Sequence, residues 1–195
     1  MAGNASSGRV ETVNTVGKPM PTLHLISGLP CSGKTTYSLA LRADRRCVLF
    51  CLDRWLITSF GRYSIMSVGH EEHTRRVLAC RELIWEAASE FLRRSIDVIL
   101  DDGFFLRGHR ARYMQLAKAL GACVKIHFMN TPLDVVGARL AARNASLPPY
   151  NFQIPPETLR GFLDLFEEPS ADEGAEIVVV RDPFISRSPG VDTGA

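Results

Sequence analysis

One short segment, Gly28-Leu-Pro-Cys-Ser-Gly33-Lys34-Thr35, constrains this chain more than any other. It matches the pattern GxxxxGK[ST] at every fixed position, and it lies between an apolar run typical of a strand and an amphipathic run typical of a helix. Glycines at both ends let the backbone curl so that successive N–H groups point inward, and the start of the helix adds positive potential there. The segment therefore predicts a phosphate-binding loop for a nucleoside triphosphate.

The residue types in this loop assign roles to individual side chains. Lys34 can reach the β- and γ-phosphates, and the Thr35 hydroxyl is the expected Mg²⁺ ligand. We therefore expect ATP and Mg²⁺ as cofactors. The residues expected to contact the nucleotide are Gly28, Leu29, Pro30, Cys31, Ser32, Gly33, Lys34, Thr35 and Thr36.

Apolar runs and amphipathic runs alternate along the chain. Strands are predicted at residues 23–26, 47–52, 96–100, 123–128 and 177–180, and helices at residues 34–43, 72–94, 110–120 and 133–145. Nearly continuous apolar strands separated by helices are typical of a parallel sheet covered on both faces. The pattern predicts an α/β fold in a single domain, residues 21–184, with a flexible segment before it (residues 1–20) and after it (residues 185–195).

Composition excludes several classes of protein. The chain has 195 residues, is 46% hydrophobic and has a net charge of +2, which does not suit an obligate nucleic-acid or membrane-surface binder. No apolar run resembles a signal peptide or a transmembrane helix. The 5 cysteines contain no CxxC pair, which favours a reduced cytoplasmic protein without a disulfide framework or zinc cluster.

Acidic residues follow two of the predicted strands. Asp53 stands at the carboxyl end of the second strand, where it could accept the proton of a substrate hydroxyl. It could also cap a short helix predicted over residues 54–58, and the two roles are compatible. Asp101 ends the third apolar run and is the expected acid at Mg²⁺, although Asp102 competes for that role and periodicity does not separate them.

Four arginines are candidates for contacts with anions. Arg139 and Arg143 are spaced i, i+4 and could clamp a transferring phosphoryl group from one helix face. The same spacing also fits an ordinary solvated face. Arg107 and Arg110 flank the loop after Asp102 and could meet an anionic substrate.

Five segments in this order resemble the small P-loop kinases related to polynucleotide 5′-hydroxyl kinase, zeta toxins and chloramphenicol phosphotransferase. The segments are GLPCSGKTT, CLDRW, VILDDGFF, ARLAARNA and FEEP. Most similar is the branch of AAA-family ATPases and predicted kinases. The resemblance implies a three-layer P-loop fold with an adenylate-kinase-like core, a helical lid and ATP as donor. It places the acceptor-activating acid at Asp53, the strand acid at Asp101 and the lid arginines at Arg139 and Arg143.

One departure from that pattern bears on the acceptor. Polynucleotide kinases tend to show DxxR, whereas Leu56 stands three residues after Asp53 and the adjacent Arg54 would point differently. Arg54 remains a candidate substrate residue, and a nucleic-acid acceptor is not favoured. Residues 55–72 and 148–156 are expected to shape the acceptor pocket.

The leading expectation is an ATP- and Mg²⁺-dependent phosphotransferase acting on a hydroxyl of a small-molecule or nucleotide-like acceptor. Guanine specificity is disfavoured because the segment Asn130-Thr-Pro-Leu-Asp134 lacks the lysine of NKxD. Two alternatives stay open. One is an ATP-dependent regulatory module with slow hydrolysis, and the other is a polynucleotide 5′-hydroxyl kinase or zeta-type toxin kinase.

Overall fold

A computed structural model describes residues 19–181 of the chain. Strands and helices alternate along these residues, as predicted: β1 (Thr22–Ser27), α1 (Lys34–Asp44), β2 (Cys47–Cys51), α2 (Leu52–Phe60), α3 (Ile65–Val68), α4 (His70–Arg93), β3 (Asp97–Gly103), α5 (Arg107–Ala119), β4 (Cys123–Asn130), α6 (Leu133–Ser146), α7 (Pro156–Leu165), a 3-10 helix (Ala171–Glu173) and β5 (Glu176–Arg181). Among these helices, none has the length and apolar character needed to cross a bilayer. The predicted flexible ends lie outside the described residues, apart from residues 19 and 20, and so do residues 182–184 of the predicted domain.

All strand pairs in the sheet are parallel, and the strand order is β2-β3-β1-β4-β5. The central strand β1 pairs with β3 on one side and with β4 on the other. In a parallel sheet the carboxyl ends of all strands lie at the same edge, so the segments that follow β1, β2 and β3 meet there. The predicted α/β fold with a parallel sheet and helices on both faces is confirmed.

Two hydrophobic cores lie on opposite faces of the sheet. Leu23 and Leu25 of β1 pack with apolar residues of α4 and α5 on one face, whereas Ile26 packs on the other face against Tyr37 and Leu41 of α1. This alternation follows from the two-residue period of a strand. Each fully buried leucine contributes about 1.5–3 kcal/mol. Burial on both faces therefore fixes α1, and the loop before it, against the carboxyl edge of the sheet.

The short helices differ from the sequence prediction. Helix α2 begins at Leu52 instead of residue 54, and the helices α3 and α7 were not predicted. Helix α3 is a single turn whose Ser64 side chain accepts a hydrogen bond from the Ser67 amide (3.0 Å), so it is too short to show a period. Helix α7 begins with Pro156, which suits the first turn of a helix because its φ is already helical.

Candidate active site

The phosphate loop connects β1 to α1, and its two glycines hold positive φ angles. Gly28 has φ +152°, and a Cβ there would lie 2.8 Å from Met129 Cβ and 2.9 Å from Ser32 Oγ. The Gly28 amide donates to the Gly103 carbonyl (3.0 Å), which ties the loop to β3. Gly33 caps α1 with φ +95°. Both positions therefore require glycine for backbone reasons, as the motif implied.

Lys34 turns back over the loop. Its Nζ donates to the carbonyl oxygens of Gly28 (2.9 Å) and Leu29 (2.7 Å). Burial lowers the pKa of Lys34, and the nearby carboxylates of Asp101 and Asp53 oppose that shift. An ammonium so enclosed interacts strongly with any anion that reaches it, since little water screens it.

The two adjacent acids at the end of β3 have different partners. Asp101 is buried, and its Oδ2 accepts a hydrogen bond from Thr35 Oγ1 (2.6 Å). Asp102 receives two hydrogen bonds of 2.7 Å from Arg81 of α4. Oxygen donors such as the Thr35 hydroxyl and the Asp101 carboxylate are the ligands that Mg²⁺ prefers. The pair Thr35 and Asp101 fits this metal, and Asp102 is engaged by Arg81 instead.

Asp53 lies in the first turn of α2 and not at its N-cap, which is Cys51. The alternative capping role considered for Asp53 is therefore wrong. Its side chain remains exposed to the cleft, yet its pKa is raised to about 6. The main cause is desolvation by the cleft walls, and the negative charge of Asp101 adds to it, whereas Lys34 and Arg143 oppose it.

Helix α6 directs two arginines toward the same cleft. Its buried residues Val136 and Leu140 hold one side of the helix against the protein. Arg139 reaches the phosphate loop, since its Nη1 lies 3.8 Å from the point that a Cβ atom would occupy at Gly33. Arg143 Nη1 donates to Asn151 Oδ1 (3.5 Å). The Nε and Nη2 atoms of Arg143 are buried without a hydrogen-bond partner among the described residues.

A cleft of about 460 Å³ brings these groups together. This volume is in the range of small-ligand pockets. The lining comprises most of the phosphate loop, the ends of the strands and α6: Pro30, Cys31, Gly33, Lys34, Thr35, Thr36, Cys51, Asp53, Asp101, Asp102, Gly103, Phe105, Arg139, Arg143, Asn151, Ile154 and Phe162. The three loop residues outside this lining are Gly28, Leu29 and Ser32, and the last two are buried.

Three arginines predicted to meet substrate lie outside this lining. Arg110 is 0% exposed and donates to Glu173 Oε2 (2.7 Å) and to the Glu167 carbonyl (2.8 Å), so it has a structural role and cannot contact substrate. Arg107 pairs with Asp172 at 2.9 Å. The Arg54 guanidinium lies 5.0 Å from the centre of the Tyr150 ring. The sequence could not reveal these partners because they are distant along the chain or lie in irregular segments.

Several cleft residues escaped sequence reasoning. Phe105 and Phe162 stack with ring centres 5.2 Å apart and line the cleft together. Single phenylalanines carry no spacing signal that separates a lining residue from a core residue. Asn151 and Ile154 fall within the stretch expected to shape the acceptor pocket, but nothing in the sequence identified them individually.

The fold and the phosphate loop define a kinase-like P-loop domain that binds nucleotide. The chain belongs to the AAA_33 family, an AAA domain, which matches residues 23–169. A search of curated proteins found no match to the chain.

Solved structures share the fold at low sequence identity. A Chloroflexus aurantiacus j-10-fl protein described as a "putative kinase" has a TM-score of 0.70 and 20% identity, over 88% of this chain and 90% of that one. A gluconokinase from Sinorhizobium meliloti 1021 has a TM-score of 0.57 and 19% identity, over 86% and 87%. A chain of the Pnkp1/Rnl/Hen1 RNA repair complex has a TM-score of 0.58 and 16% identity, over 79% and 46%. These likenesses concern the fold and leave the acceptor open.

Proposed function

We propose that this protein is an ATP- and Mg²⁺-dependent phosphotransferase that moves the γ-phosphate to a hydroxyl group. The observation that carries the proposal is the convergence of Lys34, Asp53 and Arg143 on one cleft beside the phosphate loop. A module that only binds nucleotide has no need of a carboxylate facing the phosphate site. The fold family and the kinase neighbours support this reaction type.

In this mechanism each side chain has a separate task. Asp53 orients the acceptor hydroxyl and takes its proton as the hydroxyl oxygen bonds to the γ-phosphorus, while the bond from that phosphorus to the β,γ-bridging oxygen breaks and ADP leaves. Lys34, Arg139 and Arg143 stabilise the charge that spreads over the phosphoryl oxygens. Thr35 and Asp101 would hold Mg²⁺, whose charge counters that of the β- and γ-phosphates.

The charges around the cleft favour a small acceptor without phosphate groups. Among the described residues that line the cleft, the cations are Lys34, Arg139 and Arg143, and the mechanism uses all three for the nucleotide. Arg54 and Arg107, just outside it, contact Tyr150 and Asp172. A phosphorylated acceptor or a polynucleotide end needs further cations, so we infer a hydroxyl compound without phosphate groups.

Two substitutions separate nucleotide binding from transfer. Lys34→Ala should weaken ATP binding and abolish turnover, because it removes the ammonium from the phosphate site. Asp53→Asn should bind ATP normally but transfer phosphate about 10²–10⁴ times more slowly, the usual contribution of a general base. The measurement is transfer from labelled ATP with Mg²⁺ to a panel of sugars, nucleosides and aminoglycosides. Asp44→Asn, an exposed acid at the far end of α1, is the matched control.

The same experiment can contradict the proposal. Normal turnover in Lys34→Ala would exclude the phosphate-loop mechanism, and unchanged transfer in Asp53→Asn would remove Asp53 from its role. Binding of ATP with only slow hydrolysis across the panel, equal in wild type and Asp53→Asn, would favour the regulatory module. Transfer to an RNA or DNA 5′ end in preference to small alcohols would favour the polynucleotide kinase.

A further inference from the structure

The segment after α6, residues 147–154, forms a loop that one side chain closes at its base; we call it the lid loop. Asn144 Nδ2 donates to the Ile154 carbonyl (2.7 Å), and Asn144 Oδ1 accepts from the Ile154 amide (3.3 Å). An asparagine amide offers one donor and one acceptor side by side, so it satisfies both backbone groups of Ile154. The lid loop is thereby fixed to the last turns of the helix that carries Arg143.

A second contact joins the lid loop to the segment that follows α2. Arg62 Nη2 donates to the Pro148 carbonyl (2.8 Å) and lies 3.4 Å from the Leu147 carbonyl. Arg62 follows α2, the helix whose first turn contains Asp53. The lid loop therefore connects the end of α6 to the segment after α2.

Arg143 lies beneath this loop. Its Nη1 contacts Asn151 Oδ1, and its Nε and Nη2 atoms are buried without partners among residues 19–181. Asn151 and Ile154 also line the cleft. A guanidinium covered in this way interacts more strongly with a phosphoryl group than a solvated one, because water screens it less and its position needs little reorganisation.

We propose that Asn144 is a positioning residue for Arg143: by pairing with the Ile154 backbone it holds the lid loop, and with it Asn151, against the guanidinium that lines the cleft. This role rests on the proposed phosphotransfer. In that reaction Arg143 contacts the phosphoryl group during transfer. Asn144 should therefore affect the stabilisation of the transition state, and should have little effect on the affinity for the product nucleotide.

The test compares the affinity for ADP with the affinity for ADP plus aluminium fluoride, which mimics the phosphoryl group in transit. In Asn144→Ala, titration calorimetry should find ADP binding within about twofold of wild type, and about a tenfold loss of the extra affinity that aluminium fluoride gives. Arg143→Ala should show a similar loss, and the double variant should lose little more, because both act through one group. Asn144→Asp, which still accepts from the Ile154 amide, should fall between.

The control is Ser146→Ala, an exposed residue on the same helix whose hydroxyl contacts only the Ala142 carbonyl in the helix itself. It should match wild type in both titrations. Thermal unfolding checks that each variant folds, and Asn144→Asp replaces Asn144→Ala if the alanine variant does not.

The outcomes separate this role from the proposed function. A full aluminium fluoride effect in Asn144→Ala, or additive losses in the double variant, would overturn the positioning role and leave phosphotransfer standing. A wild type that binds ADP but gains nothing from aluminium fluoride would contradict phosphotransfer itself, and the positioning role would fall with it.

Discussion

Asp53 is the residue whose ionisation should set the pH dependence of transfer. Its carboxylate is the active form, and its pKa is raised to about 6. Transfer should therefore fall as the pH decreases through about 6, since the protonated carboxyl cannot take the hydroxyl proton. Transfer rates measured with saturating ATP between pH 5 and 8 test this decrease. In Asp53→Asn the residual transfer rate should not decrease in this way. An unchanged pH dependence in that variant would assign the titration to another group.

The roles of the adjacent residues Asp101 and Asp102 could not be assigned from the sequence. Asp101 and Asp102 both follow an apolar run, and a pattern of residue types cannot tell which one faces Thr35. The distinction depends on Arg81, which approaches Asp102 from α4 and lies 21 positions away in the chain. Arg110 shows the same limit, because its partner Glu173 is 63 positions away. By contrast, the loop residues were predictable since their spacing follows from the phosphate they enclose.

A buried ion pair joins α5, through Arg110, to Glu173 in the segment after α7. Both side chains of the Arg110–Glu173 pair are buried, 0% and 1% exposed. Removing one partner leaves the other charged and buried, at a typical cost of about 3–5 kcal/mol. Arg110→Ala should therefore lower the free energy of unfolding by about that amount in urea titrations.

Nucleotide affinity distinguishes this structural role from a contact with ligand. Folded Arg110→Ala at low temperature should bind ATP as wild type does, because the side chain does not line the cleft. If Arg110→Ala is stably folded but binds the acceptor more weakly, Arg110 belongs to the substrate site. Lys118→Ala, an exposed cation near the end of the same helix, is the control and should change neither quantity appreciably.

Long elements were predictable from the sequence, and short ones were not. The five strands and four of the helices show clear periods, because each buries one face or both over several turns. Helix α3 is a single turn with a local Ser64 cap, so it is too short to show a period. Helix α7 begins at Pro156 and has apolar residues at Leu159, Phe162 and Leu163, so its sequence does carry a helical spacing that the prediction lacks. The lid loop also lacks a period, so the pairing of Asn144 with Ile154 could be found only from the structure.

The whole molecule should lose stability in mild acid because two histidines are buried on one face of the sheet. His127 Nε2 is 2.9 Å from His24 Nδ1, and His127 Nδ1 is 2.8 Å from the Tyr37 hydroxyl. Burial lowers the pKa of both imidazoles, that of His127 to about 4 from the model-compound value of 6.5. The unfolded chain thus binds more protons than the folded one in this range, and stability falls as the pH decreases from 6.5 toward 4.

Replacement of one histidine tests this. His127→Gln cannot titrate, so its free energy of unfolding should decrease less than that of wild type between pH 7 and 5, by about 1–2 kcal/mol. Urea unfolding at both pH values measures the difference. His70→Gln, at the exposed start of α4, should keep the wild-type slope. Equal slopes for wild type and His127→Gln would mean that folding does not lower the pKa of His127.

The central position of β1 also sets the order in which the chain can assemble. This strand bonds to β3, which ends at Gly103, and to β4, which ends at Asn130. During synthesis from the N-terminus, the phosphate loop is made before β3 and β4, and β1 lacks both neighbouring strands until β4 has left the ribosome. Closure of such long-range pairs is slow. The phosphate loop therefore cannot take its final shape until about two thirds of the described chain is available.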